Sequence, residues 1–254
     1  MTVLVLLPPS ETKAVGTDGP PLDLDDLSFP LLNPVRKKLV IRLASLAKRQ
    51  RAALAKALDL SPGQRGEIDK DALLLTAPTL PTMELYSGIV YDNLDYTSLT
   101  GTAKKRADSS LVVASALFGL LRPEDRVPSY RLSGSTVLPG TGGLAGLWRP
   151  VLEPALAEHE LVVDLRSGAY VALARVPHAV TVRVLRDEAG RRTVVSHDNK
   201  WTKGQFARAL CLEPATDVSE LAEIGRTVCD DVEVSVDGGG NRIDLLLHGL
   251  ASAR

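Results

Sequence analysis

A serine and a lysine three residues apart, Ser10 and Lys13, stand directly behind the apolar run Val3 to Leu7 in VLVLLPPSETK. A desolvated lysine beside a hydroxyl can act as its base; left charged, it can clamp a phosphate. A second apolar run, Leu161 to Leu165 in LVVDLRSGAY, carries Asp164 and runs into Ser167, a pair able to orient a hydroxyl or exchange a proton with it. A third, VTVRVL from Val180, leads after a turn into TVVSHDNKWTKG and Lys200. An open α/β sheet delivers such loops to one edge, where polar groups converge on a ligand. Ser10, Lys13, Asp164, Ser167 and Lys200 are therefore expected in one cleft, where the loops after Leu7, Leu121 and Leu165 meet the Lys200 segment. Within it, Lys13, Arg131 and Lys200 are expected to pair with Asp164 or Glu11, or to await an anion, because a buried unpaired charge is costly.

Further cations widen the choice of ligand. Arg122, Arg126, Tyr130 and Arg131 fall on the Pro-containing stretch RPEDRVPSYRLS, and Lys200, Lys203 and Arg208 follow in a segment of helical spacing. Together with Lys13 they can line an anion or nucleic-acid site, with salt-dependent binding as phosphates are neutralised. Between Pro34 and Lys56 stand eight cations (Arg36, Lys37, Lys38, Arg42, Lys48, Arg49, Arg51, Lys56) and no acid, either a solvated helix face or a polyanion-facing surface. These residues and those of 200 to 208 are expected to form or flank one positive surface. Tyr86, Tyr91 and Tyr96 are suited to stacking on a base or to sealing a core edge. The GTGG at Gly140 to Gly143 lacks the lysine of a phosphate loop and is weak evidence for one. His159, His178, His197 and His248 are too scattered for a metal site of usual spacing, so neither metal nor cofactor is expected.

The elements that must position these groups follow from hydrophobic periodicity. Residues 34 to 58 read as an amphipathic helix or helical pair, and residues 111 to 123 as a buried strand followed by a short turn or helix. Residues 144 to 159 read as a helix turning Trp148 and Leu152 inward despite its prolines. Residues 175–185 and 192–197 read as a hairpin across EAGR, then come helices over 200–212 and near 218–224. VEVSV and IDLLL form a last hairpin around DGGGNR. No repeat or low-complexity stretch divides the 254 residues, so one mixed α/β domain over 1–254 is expected, with a strand-end cleft. Net charge is −1, which excludes a global field for nucleic acid or membrane; attraction must come from local patches. The opening MTVLVLLPP has no basic leader and too short an apolar run for a signal peptide or membrane span, which predicts the cytoplasm. Cys211 and Cys229 fit a reducing compartment and read as packing residues.

VLVLLPPSETK, ELYSGIVYDNLD, SALFGLLRPEDRVPSYRLS, the downstream LWRP, VVDLRSGAY and SHDNKWTKGQFARAL occur in the order seen in the peroxide stress protein YaaA family, which the chain resembles over nearly its whole length. The stretch from Ser115 to Ser133 carries the resemblance most strongly. The likeness implies a mixed α/β protein of the bacterial cytoplasm that lowers free iron and limits oxidative DNA damage under hydroperoxide stress. It implies similarity to DNA-binding proteins through a positively charged cleft and a helix-hairpin-helix-like element, to which FGLLRP at Phe118 to Pro123 is only loosely matched. It brings no settled catalytic activity. Non-specific DNA binding is the leading expectation. The alternative is an enzyme acting on a small phosphate-bearing or nucleobase-like anion in the same cleft.

Overall fold

The run LVLL is buried on both faces, as a middle strand of a covered sheet is. In the computed structural model, which describes residues 3–188, 190–237 and 240–248, it is β1 (Leu4–Leu7). The chain continues through α1 (Asn33–Arg49), α2 (Arg51–Ala57), α3 (Glu67–Ala72), β2 (Leu80–Pro81), α4 (Thr82–Leu85), α5 (Ile89–Leu94) and α6 (Gly101–Ser110). Then come β3 (Leu111–Ser115), β4 (Gly119–Leu121), β5 (Arg126–Val127), β6 (Val137–Leu138), β7 (Gly142–Gly143), α7 (Ala145–Ala157), β8 (Val162–Asp164) and α8 (Gly168–Val171). The last elements are β9 (Val180–Glu188), β10 (Arg191–Thr193), α9 (Ser196–Leu212), α10 (Val218–Arg226), β11 (Asp231–Asp237) and β12 (Gly240–His248).

The principal sheet runs β11-β12-β9-β8-β1-β3-β4, with β10 paired to β9. At its centre β8, β1 and β3 are parallel, with Val5 opposite Leu111 on one side and Val163 on the other. Parallel pairing carries the C-terminal ends of these strands to one edge, so the segments after Leu7 and Asp164 emerge as neighbours. Helices and sheet share one hydrophobic core, making a single compact mixed α/β domain. Among the described residues no helix is long and apolar enough to cross a membrane.

Most sequence expectations hold. The 34–58 segment is a helical pair broken at Gln50, and α7 buries Trp148, Leu152 and Leu156 at four-residue spacing. The 192–197 stretch is strand only to Thr193, since α9 already begins at Ser196. Within EAGR and DGGGNR, residues 189, 238 and 239 lie outside the described residues; β11 and β12 pair from Asp231 opposite Leu246 to Asp237 opposite Gly240.

The helix-hairpin-helix expectation at Phe118 to Pro123 is corrected. Gly119–Leu121 is β4, antiparallel to β3. Gly119 has φ +76°, and a Cβ there would come within 2.7 Å of the Trp148 ring, whose Nε1 donates to the Ala116 carbonyl. The outer side of β4 is met by Arg36 from α1. This fully buried guanidinium donates to the carbonyls of Phe118 (2.9 Å) and Leu120 (2.8 Å) and to Asn33. Carbonyls at a strand edge need such partners when water is excluded. Gly142 and Gly143 pair with Val137 and Leu138 in a short hairpin, so GTGG is turn and strand here.

Candidate functional site

A cavity of about 540 Å³ opens at the C-terminal edge of the central strands. Four segments build it. Residues 8–12 follow β1, residues 87–91 lead into α5, Leu165, Ser167 and Tyr170 follow β8, and Ser196, Asn199, Lys200 and Lys203 come from the first two turns of α9. Pro8, Pro9, Ile89, Val90 and Tyr91 give it apolar surface, while serine hydroxyls and two lysines supply polar groups. Tyr91 is anchored by its hydroxyl, which donates to the Pro8 carbonyl at 2.8 Å.

Ser10, Ser167, Lys200 and Lys203 thus come together. Lys200 is exposed, whereas Lys203 is buried and donates to the Leu165 carbonyl at 3.0 Å. Burial lowers the Lys203 pKa, and the charge of Asp164 resists that shift. Asp164 itself takes two hydrogen bonds from the Arg166 guanidinium, at 2.8 and 2.7 Å, and one from the Arg166 amide. Arg166 also reaches the carbonyls of Tyr170 and Ala174, so this bidentate pair fastens the turn between β8 and α8. The expected pairing of a cleft lysine with Asp164 is replaced by Arg166, a residue that the sequence reading passed over.

Lys13 lies behind the wall formed by residues 10 to 12. It retains 8% exposure, and its Nζ donates to the Ser10 carbonyl at 2.9 Å. The same nitrogen stands 4.4 Å from the Tyr130 ring centroid and 5.5 Å from that of Tyr86. Burial pulls its pKa down to about 8, with Glu11 opposing. Tyr86 and Tyr130 join hydroxyls at 2.7 Å, and Tyr130 continues to Ser115 at 2.7 Å. Of the two tyrosine readings, Tyr86 and Tyr91 therefore take the core-edge one, stacked on each other with ring centroids 5.6 Å apart. Asp71, from α3, is fully buried, and its Oδ1 accepts the Arg131 amide at 2.8 Å. Burial pushes its carboxyl up to about 8, and its Oδ2 has no hydrogen-bond partner.

The remaining cations go elsewhere. Arg131 pairs with Glu11 at 3.1 Å, reaching the cavity only through that wall residue. The loop after Leu121 does not line the cavity: Arg122 stacks on Phe29 and donates to the Ser109 carbonyl. Arg126 donates to the Thr79 carbonyl. Arg208 donates to the carbonyls of Leu94 and Asp95 and faces the Asp95 carboxylate at 3.5 Å. Of the cations expected to form or flank one positive surface, Arg208 is thus engaged by neighbouring carbonyls and Asp95. On α1 and α2, Arg36 is buried, Arg42 donates to the Pro139 carbonyl and Arg51 pairs with Asp69. Lys37, Lys38, Lys48, Arg49 and Lys56 remain exposed. Helix α1 packs on α2 and α3, whereas α9 packs on α5, α6, α10 and β9. Both thiols are raised by burial, Cys211 to about 12 and Cys229 to about 11. Among the described residues no group of three or more His, Cys, Asp or Glu is placed to hold a metal ion.

The sequence reading missed Ser87, Tyr170, Ser196 and Asn199. Each lies on a segment it had read, but side chains of ordinary type without charge gave no signal in one dimension.

A mixed sheet whose central parallel strands open onto a cavity of lysines and hydroxyls puts the chain in the class of mixed α/β proteins with a strand-end cavity. Residues 3–228 match the sequence model of the family described as "Peroxide stress protein YaaA", and the chain belongs to that family. It is 44% identical to a UPF0246 protein of Corynebacterium efficiens over 92% of this chain and 96% of that one. A UPF0246 protein of Streptomyces coelicolor is 42% identical over 97% of this chain and 99% of its own. A more distant UPF0246 protein, from Marinomonas, is 28% identical over 84% of this chain and 86% of its own. Family membership supports a role in peroxide stress.

Proposed function

We propose that the chain serves peroxide stress by holding a small anionic ligand, phosphate-bearing or nucleobase-like, in the strand-end cavity. The observation that carries this reading is Lys203, a buried lysine lining the cavity beside exposed Lys200 in the first half of a 17-residue helix whose first residue, Ser196, also lines it. An ammonium has three N–H donors, and the Leu165 carbonyl takes one of them. The helix start adds a favourable field for negative charge. Pro8, Pro9, Ile89 and Val90 give the same cavity apolar walls suited to the uncharged part of such a ligand. Titration calorimetry with inorganic phosphate and with a nucleoside monophosphate tests the reading. Saturable binding weakened at least about tenfold in Lys200→Ala and in Lys203→Met is expected, the scale of one lost charge-assisted hydrogen bond. Absence of binding, or binding equal in all three proteins, overturns it.

Duplex DNA is a second reading, favoured by the exposed cations Lys37, Lys38, Lys48, Arg49 and Lys56 on α1 and α2. Contacts of that kind are sequence-independent and fall steeply with salt. Fluorescence anisotropy across a salt series checks it: a flat response, or none at low salt, removes DNA as a partner. The route from either ligand to iron is a matter for cells lacking the protein, through free-iron measurements after hydroperoxide challenge.

A further inference from the structure

Lys13 is a lysine set up to lose its proton. Its Nζ has rings on two sides and a single hydrogen-bond acceptor, the Ser10 carbonyl. The carboxylate closest in sequence, Glu11, is engaged by Arg131 at 3.1 Å. The Arg131 amide holds one oxygen of Asp71, and Asp71 is itself driven toward its neutral form by burial. Among the described residues Lys13 therefore has no ion-pair partner, only the ring faces of Tyr130 and Tyr86. Ring faces favour an ammonium, but desolvation opposes it and dominates here, bringing the pKa to about 8. A useful fraction is then free amine near neutral pH, which is the nucleophilic form.

Its place matters as much as its protonation. Ser10, Glu11 and Thr12 line the cavity, and Lys13 bridges Tyr86 in the backbone immediately before the wall residues Ser87 and Gly88. The backbone at Lys13 thus joins two wall segments, and its Nζ is held to one of them by one hydrogen bond.

We propose that Lys13 is a covalent site for a small keto or aldehyde acid, its amine condensing with the carbonyl while Lys200 and Lys203 hold the acid group. This rests on the cavity reading above. The nitrogen lone pair forms the new N–C bond as the carbonyl π pair moves onto oxygen, and a proton passes from nitrogen to that oxygen. The carbinolamine then expels water and leaves a C=N bond. One water is released, and no oxidant or reductant is consumed. Condensation requires Nζ to leave the Ser10 carbonyl and turn past the Ser10 wall to the cavity, a movement that adduct formation on Lys13 reads directly.

The test uses the full chain with pyruvate as probe at mildly alkaline pH, with sodium cyanoborohydride to fix any imine, followed by intact mass and peptide mapping. One reduced adduct on Lys13 is expected, forming at least about tenfold faster than on exposed Lys37 or Lys48 because more of its amine is free. Inorganic phosphate should slow it by competing for the acid seat, and Lys13→Arg should abolish it. Labelling no faster at Lys13 than at Lys37, or indifferent to phosphate, overturns the inference. The wild-type map gives this answer even if the variant does not fold. Calorimetry without reductant separates the two readings: pyruvate or phosphate binding without an adduct sinks the covalent role alone, and absence of binding sinks both.

Discussion

Tyr86 and Tyr130 meet hydroxyl to hydroxyl at 2.7 Å, both wholly inside the protein, and their rings enclose the Lys13 amine. The contact joins α4's C-cap to the loop after β5, and through Ser115 it extends to the end of β3, where Ser115 Oγ also accepts from the amides of Leu117 and Phe118. A buried chain of this kind is stable only when every member is satisfied.

Tyr130→Phe deprives Tyr86 and Ser115 of a shared partner while keeping the ring. A loss of about 1–3 kcal/mol is expected in urea unfolding, the cost of buried polar groups left unpaired. The double variant Tyr86→Phe with Tyr130→Phe should lose less than the two single losses combined, since it removes both ends of one bond. Strict additivity would place the two hydroxyls in independent environments.

Stability should show two opposite pH trends with different owners. Burial raises the Asp71 carboxyl from its ordinary 3.8 to about 8. Between those values the folded state holds the extra proton, so stability falls as pH rises from about 4 to about 8. Lys13 is lowered from 10.5 to about 8, so over that upper window the unfolded state holds the proton and stability rises with pH. Urea midpoints across pH should lose the first slope in Asp71→Asn and the second in Lys13→Met. A slope that survives its own variant belongs to another group.

Arg36 and Lys37 are adjacent cations with different tasks. Arg36→Met leaves the carbonyls of Leu120 in β4 and of Phe118 just before it without their donor, which predicts a loss of about 3 kcal/mol or more. Lys37→Ala, on the exposed side, should stay within about 0.5 kcal/mol. Arg36→Lys should not restore stability, because an ammonium cannot span two carbonyls as a planar fork does. Equal losses at both positions would contradict the edge-capping role.

The strand framework was legible because runs such as LVLL and LVVAS are apolar at every position, a pattern that central parallel strands require. The meeting of Ser10, Ser167 and Lys200 followed from the same rule about strand ends. Arg36 was not legible: in the sequence it is one of eight like charges, and only the arrival of β4's carbonyls against α1 separates it from Lys37. Asp164 was also opaque, since its two-residue separation from Arg166 becomes a bidentate clasp only through the turn after β8. The reading of 111–123 as a buried strand and a short turn holds for Leu111–Ser115 and the turn after it, but the second strand, Gly119–Leu121, was hidden because a short apolar run does not by itself separate helix from strand.

The Arg36 plug gives the principal sheet two unlike ends. At β4 the outward carbonyls already have a donor from within the molecule, whereas β11, the opposite terminal strand among those described, carries exposed Val234 and Val236. A strand added at the β4 end would have to displace a guanidinium already seated on the outward carbonyls, so an arginine inside the fold closes that edge to pairing in a way that no surface residue reveals.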